Sequence, residues 1–239
     1  MHPIISPLRG PLRLGELVKK IETSAPALKK RLRTVRRKIK MVTKEHRRIA
    51  KAKGLYAAAV TLTYARDDDY CQKHVTRFIN CLRAKLKRQG HALLYVWTLE
   101  RAGALHYHLA LWLPRGFALN HADLNRWWPW GSTWTERCRK VSAWAHYISK
   151  REDKANLPLS ARMFGCGGLD EPAKESVGRA MLPRWLATLL PGDAKVCRLA
   201  GGGWVDSHTG QVYESPWMWT PYGARLKPVG TPTDSALSR

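Results

Sequence analysis

The residues with the clearest chemical potential begin at Leu105, where LHYHLALWLP sets His106 and His108 two apart inside an otherwise apolar run. Successive side chains of a β-strand point to opposite faces, so the two imidazoles share one face. Leu105, Tyr107, Leu109, Leu111 and Leu113 form the other, a stripe suited to burial beneath a helix. An unpaired polar group away from water costs about 1 to 3 kcal/mol. The pair therefore needs partners, either hydrogen-bonding groups or a shared metal ion. Glu100, six residues earlier, adds a carboxylate. Two imidazoles and a carboxylate make a mixed nitrogen and oxygen set that can hold a divalent ion and leave coordination positions open. Further along, Tyr147 and Lys150 lie three apart, neighbours on one helix surface. A tyrosine can serve as a nucleophile that becomes covalently attached. Its usual pKa of about 10 makes it a poor one, so a nearby cation helps.

The surrounding pattern supplies elements to position these groups. Leu55–Tyr64, LYAAAVTLTY, reads as a buried strand. Asp67-Asp68-Asp69 suits a helix start, followed by Val75, Ile79, Leu82 and Leu86 at helical spacing and a stop at Gly90. Ala92–Glu100 and Leu105–Pro114 read as two strands joined by a turn too short for anything but an antiparallel hairpin, which carries Glu100 towards His106. A short helix is predicted over His121–Trp130, capped by Asn120 and ended by Pro129, and another over Val141–Arg151. Met163–Leu169 reads as a glycine-rich loop. Glu171–Leu190 reads as helix interrupted at Pro183, Lys195–Val212 as a β-hairpin, and the tail after Pro216 as loosely ordered.

The chain of 239 residues has 42 Lys and Arg against 18 Asp and Glu, a formal net charge of +24. That is the footprint of a polyanion binder. Between Lys19 and Lys53 there are 15 basic residues and two acids, Glu22 and Glu45. A helix starting near Pro26 would set Leu28, Leu32, Val35, Ile39 and Val42 on one face and leave cations such as Arg36, Arg37 and Lys38 to meet phosphates. No apolar run is long enough to span a bilayer and no signal-peptide core opens the chain, so the expected partner is nucleic acid and not a membrane. The five cysteines show no paired spacing, which points to a reducing cytoplasm. Three segments are expected: a basic helical arm over 1–54, a domain carrying the candidate site over 55–190, and a hairpin with tail over 191–239.

Glu100–Leu109, ERAGALHYHL, resembles the acidic residue and histidine-hydrophobic-histidine motif of HUH endonucleases, and Tyr147–Lys150, YISK, resembles their tyrosine motif. Thr61-Leu62-Thr63-Tyr64 is similar to their first motif, and Phe164–Leu169 to a glycine-rich segment of filamentous-phage replication initiators. The resemblance implies an α+β fold, a central antiparallel sheet flanked by helices in an RRM-like or ferredoxin-like topology, with the histidines on a middle strand. It implies a rolling-circle initiator that nicks and religates single-stranded origin DNA, including hairpin forms, through a 5′-phosphotyrosine. Glu100, His106 and His108 would hold Mg²⁺ or Mn²⁺, Tyr147 would attack, and Lys150 would position the phosphate.

DNA contact is expected from Thr61, Thr63, Arg36, Arg37, Lys38 and, by base stacking, Trp128. Trp127, Trp130 and Trp134 belong to the same aromatic cluster, otherwise core or interface. No GxxxxGK[ST] phosphate loop is present, so unwinding falls to a host helicase and synthesis to a host polymerase, in the cytoplasm of a bacterial cell. Two other readings stand beside this one. A single-tyrosine transposase would use the same chemistry, and a non-catalytic DNA-binding module would keep the histidines as structural residues.

Overall fold

The computed structural model describes residues 14–138, 141, 144, 157–158, 161–192, 194–200 and 202–227, with the backbone alone for 14–29 and 219. The chain divides into two units, Met1–Met181 and Leu182–Arg239.

The first unit is an antiparallel sheet between helices. Helix α1 spans Leu14–Ala52, strand β1 Tyr56–Tyr64, helix α2 Gln72–Arg88, β2 Leu94–Ala102, β3 Ala104–Leu113, α3 His121–Trp127, β4 Gly131–Arg137, β5 Phe164–Gly167 and α4 Glu171–Met181. The strand order is β4-β1-β3-β2-β5. Its first four strands, with α2 and α3 as connections, form the split βαβ arrangement, and β3 is the middle strand of the five. The expected α+β class and antiparallel sheet are present.

Alternation along the strands sorts their side chains to two faces. On one, Leu62, Tyr64, Leu99, Leu105, Tyr107, Leu109 and Leu111 pack against Val75, Phe78, Ile79, Leu82 and Leu86 of α2 and against Leu124 and Trp127 of α3. On the other, Leu94, Val96, Ala110 and Trp112 meet Val42, Ile49 and Ala50 of α1 and Ala173 and Val177 of α4. The basic N-terminal helix is thus also a core helix. Its buried stripe runs on past the predicted residues through Glu45, His46 and Ile49. Its start at Leu14 precedes the expected start at Pro26.

Two local expectations are corrected. Asp67–Asp69 forms a single 3-10 turn and α2 begins at Gln72. Asp67 is engaged elsewhere: its Oδ1 accepts from the Leu105 amide at 2.9 Å, and its Oδ2 pairs with Arg101 at 3.1 Å, which ties the hairpin to the end of β1. The glycine-rich segment is a strand, β5, and not a loop. Its Gly165 and Gly167 stand opposite Trp97 and Tyr95, whose rings fill the space a side chain would take.

In the second unit, α5 spans Arg184–Leu189 and the chain then forms β6 (Val196–Arg198), β7 (Trp204–Asp206), β8 (Val212–Tyr213), β9 (Trp217–Thr220) and β10 (Gly223–Leu226). The expected hairpin after Lys195 is a three-stranded sheet, and the tail expected to be loose pairs β9 with β10. Leu182, Leu186 and Leu190 form a small core with Trp185, Val196, Trp204 and Tyr213. Pro183 separates α4 from α5, as its missing amide requires. Among the described residues, no helix is long and apolar enough to cross a membrane.

Candidate metal and DNA site

The hairpin of β2 and β3 turns at Gly103, whose φ of 76° is ordinary for glycine and strained for other residues. Its register sets Glu100 opposite His106 and Thr98 opposite His108. On the other flank of β3, Thr61 faces His108 and Thr63 faces His106. One ligand atom from each of Glu100, His106 and His108 can be chosen so that all lie within 4.8 Å of one another. The three residues expected to meet do meet.

Hydrogen bonds orient each member. His106 Nδ1 lies 2.8 Å from the Ala104 carbonyl oxygen, which can only accept, so Nδ1 carries the proton and Nε2 presents a lone pair. Thr61 Oγ1 lies 3.2 Å from His108 Nδ1, and a hydroxyl can either donate to that nitrogen or accept from it. The two Nε2 atoms are 3.1 Å apart, with the rings nearly perpendicular at 86°. Glu100 is buried at 2% exposure. Its Oε1 accepts from Thr98 Oγ1 at 3.1 Å, and its Oε2 stands 3.8 Å from His108 Nε2, beyond a direct hydrogen bond.

This donor set fits a divalent cation. Nitrogens 3.1 Å apart have the separation of neighbouring ligands around an ion about 2.1 Å from each. Each histidine has its second ring nitrogen held by an oxygen, the arrangement that fixes metal-binding imidazoles. The imidazoles suit ions such as zinc, iron or nickel and the carboxylate suits ions such as manganese or magnesium, so the mixed set is selective for none of them by donor type alone. Thr98 was not anticipated as part of the site. Its signal in the sequence is its position two residues before Glu100, on the same strand face.

Tyr147 and Lys150 lie outside the described residues. Arg36, Arg37 and Lys38 are exposed on α1, and Arg37 donates to the Ala180 carbonyl oxygen. Lys38 is close enough to Cys166 for its charge to act on the thiol, whose pKa burial nonetheless raises. Thr61 and Thr63 are half-buried on the histidine face. Trp128 is fully buried, its indole N–H donating to the Thr63 carbonyl oxygen at 3.1 Å and its ring packed against Tyr64 and Tyr107. Burial leaves it no face for a base, which corrects its expected stacking role.

Residues 57–154 match a family model of replication-associated proteins, the one that includes the ORF2 type. The matched span runs from β1 past β4 and contains Glu100, His106, His108, Tyr147 and Lys150. No curated protein and no solved structure matches the chain. The similarity links this part of the chain to DNA replication.

Proposed function

We propose that the protein is a rolling-circle replication initiator, an HUH-type enzyme that nicks and religates single-stranded DNA at an origin. The observation that carries this reading is the cluster of His106 and His108 on the middle strand with Glu100 on the adjacent β2, inside the segment similar to replication-associated proteins. A bound Mg²⁺ or Mn²⁺ would supply Lewis-acid polarisation of the scissile phosphodiester.

The chain's own residues perform the remainder. His106 and His108 offer oriented nitrogen lone pairs, and Glu100 offsets the cation's charge. The Tyr147 hydroxyl loses its proton to solvent as its oxygen attacks phosphorus, the bond from phosphorus to O3′ breaks, and the leaving 3′-oxygen takes up a proton from solvent. The products are a 5′-phosphotyrosine and a 3′-OH able to prime a polymerase. Attack by a 3′-OH on that phosphotyrosine reverses the step and religates the strand. Lys150 offsets charge on the phosphate, and the cations of α1 hold flanking DNA in a salt-dependent way. A host helicase and polymerase complete the replication cycle.

The test is incubation of the full chain with single-stranded DNA of its replicon in Mn²⁺ or Mg²⁺, with a denaturation-resistant protein–DNA adduct as readout. Wild type forms the adduct, and Tyr147→Phe and His106→Ala do not. An adduct that survives Tyr147→Phe refutes the assigned nucleophile. Failure of wild type on its whole replicon, with DNA binding intact, favours a binding module.

A further inference from the structure

Strand β4 is an edge of the sheet, and its Trp134 is 69% exposed. Register determines where that indole stands. Trp134 pairs with Thr61 on one side of β1, and Thr61 pairs with His108 on the other. Residues aligned across adjacent strands share a face, so Trp134, Thr61 and His108 form one row across one face of the sheet. Two strand spacings separate the backbones of Trp134 and His108, about 10 Å. That is about three nucleotide steps at the roughly 3.4 Å rise of a stacked strand.

An exposed indole on an edge strand needs a reason. Burying an aromatic of this size is worth far more than leaving it in water, and Trp127 and Trp128, a few residues earlier, are buried. Ser132 and Glu136, which share its face of β4, are both exposed, so the ring is not the rim of an apolar patch suited to a second protein. The chain's net charge of +24 favours an anionic polymer as occupant, and the neighbouring cluster is of a kind that acts on phosphates. A nucleic-acid base has a flat apolar face for the indole and leaves its phosphates in water, clear of the Glu136 carboxylate.

We propose that Trp134 is a stacking platform for one unpaired base of single-stranded DNA, a few nucleotides from the phosphate held at the Glu100, His106 and His108 cluster. The inference deepens the nuclease reading and rests on it for the identity of the ligand. Stacking is tolerant of sequence because every base has a π-face, so Trp134 holds the strand in place while other contacts read the origin.

The test separates bases from backbone and excludes metal. Fluorescence anisotropy in EDTA measures binding of the full chain to labelled oligothymidylate of about 12 nucleotides, within the usual size range of single-strand sites, and to an abasic oligomer of equal length. Wild type should prefer the base-bearing strand, and Trp134→Ala should weaken that binding by roughly 5- to 150-fold while leaving affinity for the abasic strand unchanged. Trp134→Phe should retain most of the preference. Equal binding of oligothymidylate by wild type and Trp134→Ala overturns the platform, as does absence of binding by wild type. A change of sedimenting mass in Trp134→Ala with unchanged DNA affinity also overturns it, in favour of a contact between copies. Nicking assayed on the same preparations distinguishes the two ideas. Loss of base preference in a protein that never nicks supports the platform and removes the nuclease, and nicking with no effect of Trp134→Ala does the reverse.

Discussion

Replacing Thr61 with valine probes the site through a residue that offers no metal ligand of its own. Valine keeps the β-branched shape and the strand pairing and removes the hydroxyl 3.2 Å from His108 Nδ1. To bind a cation, His108 must free its Nε2 lone pair, so the ring proton must sit on Nδ1 and needs an acceptor. With a cation bound, the Thr61 oxygen would be that acceptor. In Thr61→Val that N–H, on a side chain only 15% exposed, loses this partner, a cost of about 1 to 3 kcal/mol. Loss of an orienting partner of this kind typically weakens metal affinity by about 10- to 100-fold. Thermal or urea unfolding with Mn²⁺ reads this directly. At a concentration about 100 times the wild-type Kd, bound ion stabilises the native state by about 2.7 kcal/mol, and a 100-fold weaker variant gains only about 0.4 kcal/mol. Without metal Thr61→Val should be less stable by about the 0.5 to 1.5 kcal/mol of one hydrogen bond, a difference that Mn²⁺ should widen, and Thr61→Ser should behave as wild type. If Thr61→Val gains as much from Mn²⁺ as wild type, the hydroxyl does not set the His108 proton and the reasoning fails.

Three further outcomes follow from the packing. Burial holds the His46 imidazole down to about 4, while an unfolded histidine titrates near 6.5. The unfolded chain therefore takes up the proton first, and stability should fall by about 3 kcal/mol as pH drops from about 6.5 to about 4, a loss that His46→Leu should lack in urea melts across that range. Trp128→Ala should cost about 3 to 5 kcal/mol in the same melts, as expected for a core aromatic, and an unchanged midpoint with weaker DNA binding would restore its assignment as a stacking residue. A Cβ at Gly165 would stand 2.4 Å from the Trp97 ring, so Gly165→Ala should destabilise by about 1 to 3 kcal/mol, whereas Gly178→Ala, on helix α4 with nothing within 4 Å, should stabilise by up to about 1 kcal/mol. Equal effects from the two glycines would contradict the close fit of β5 on β2.

The alternation around His106 and the shortness of the hairpin made the cluster legible, because period two and a tight turn are local properties. So was the buried stripe of α2. What escaped depended on neighbours distant in sequence. Phe164–Gly167 looks like a loop because glycine weakens strands, yet the large rings of Tyr95 and Trp97 on the adjacent strand occupy the room the glycines leave. Asp67 reads as a helix cap, but its carboxylate is claimed by Leu105 and Arg101. Trp128 and Trp134 belong to one aromatic cluster in the sequence. Trp128, at the end of α3, carries its ring into the core against Tyr64 and Tyr107, and Trp134, on the edge strand β4, is exposed, a difference that only the fold decides.

The position of the cluster follows from how α1 covers the sheet. Toward its C-terminal end β3 is buried on both faces, with Leu109, Leu111 and Leu113 against the α2 side and Ala110 and Trp112 beneath α1 and α4. Small residues on that face, Ala57 and Ala110, let the helix approach closely. Toward the hairpin the same face changes character at the row of Thr61, His108 and Thr98, where hydroxyls and imidazole replace apolar groups. Helix α1 bears on this boundary as well, because Ile39, with Val35 beside it, packs on Phe164, which pairs with Thr98, the residue that bonds Glu100. Arg36, Arg37 and Lys38 are therefore carried by the helical turn whose apolar side secures the strand next to the carboxylate. A helix in that position serves twice. It seals the dry half of the face and, under the proposed function, brings cations to the border of the half that would admit a phosphate, so shortening or unpacking α1 should loosen Glu100 and weaken DNA attachment together.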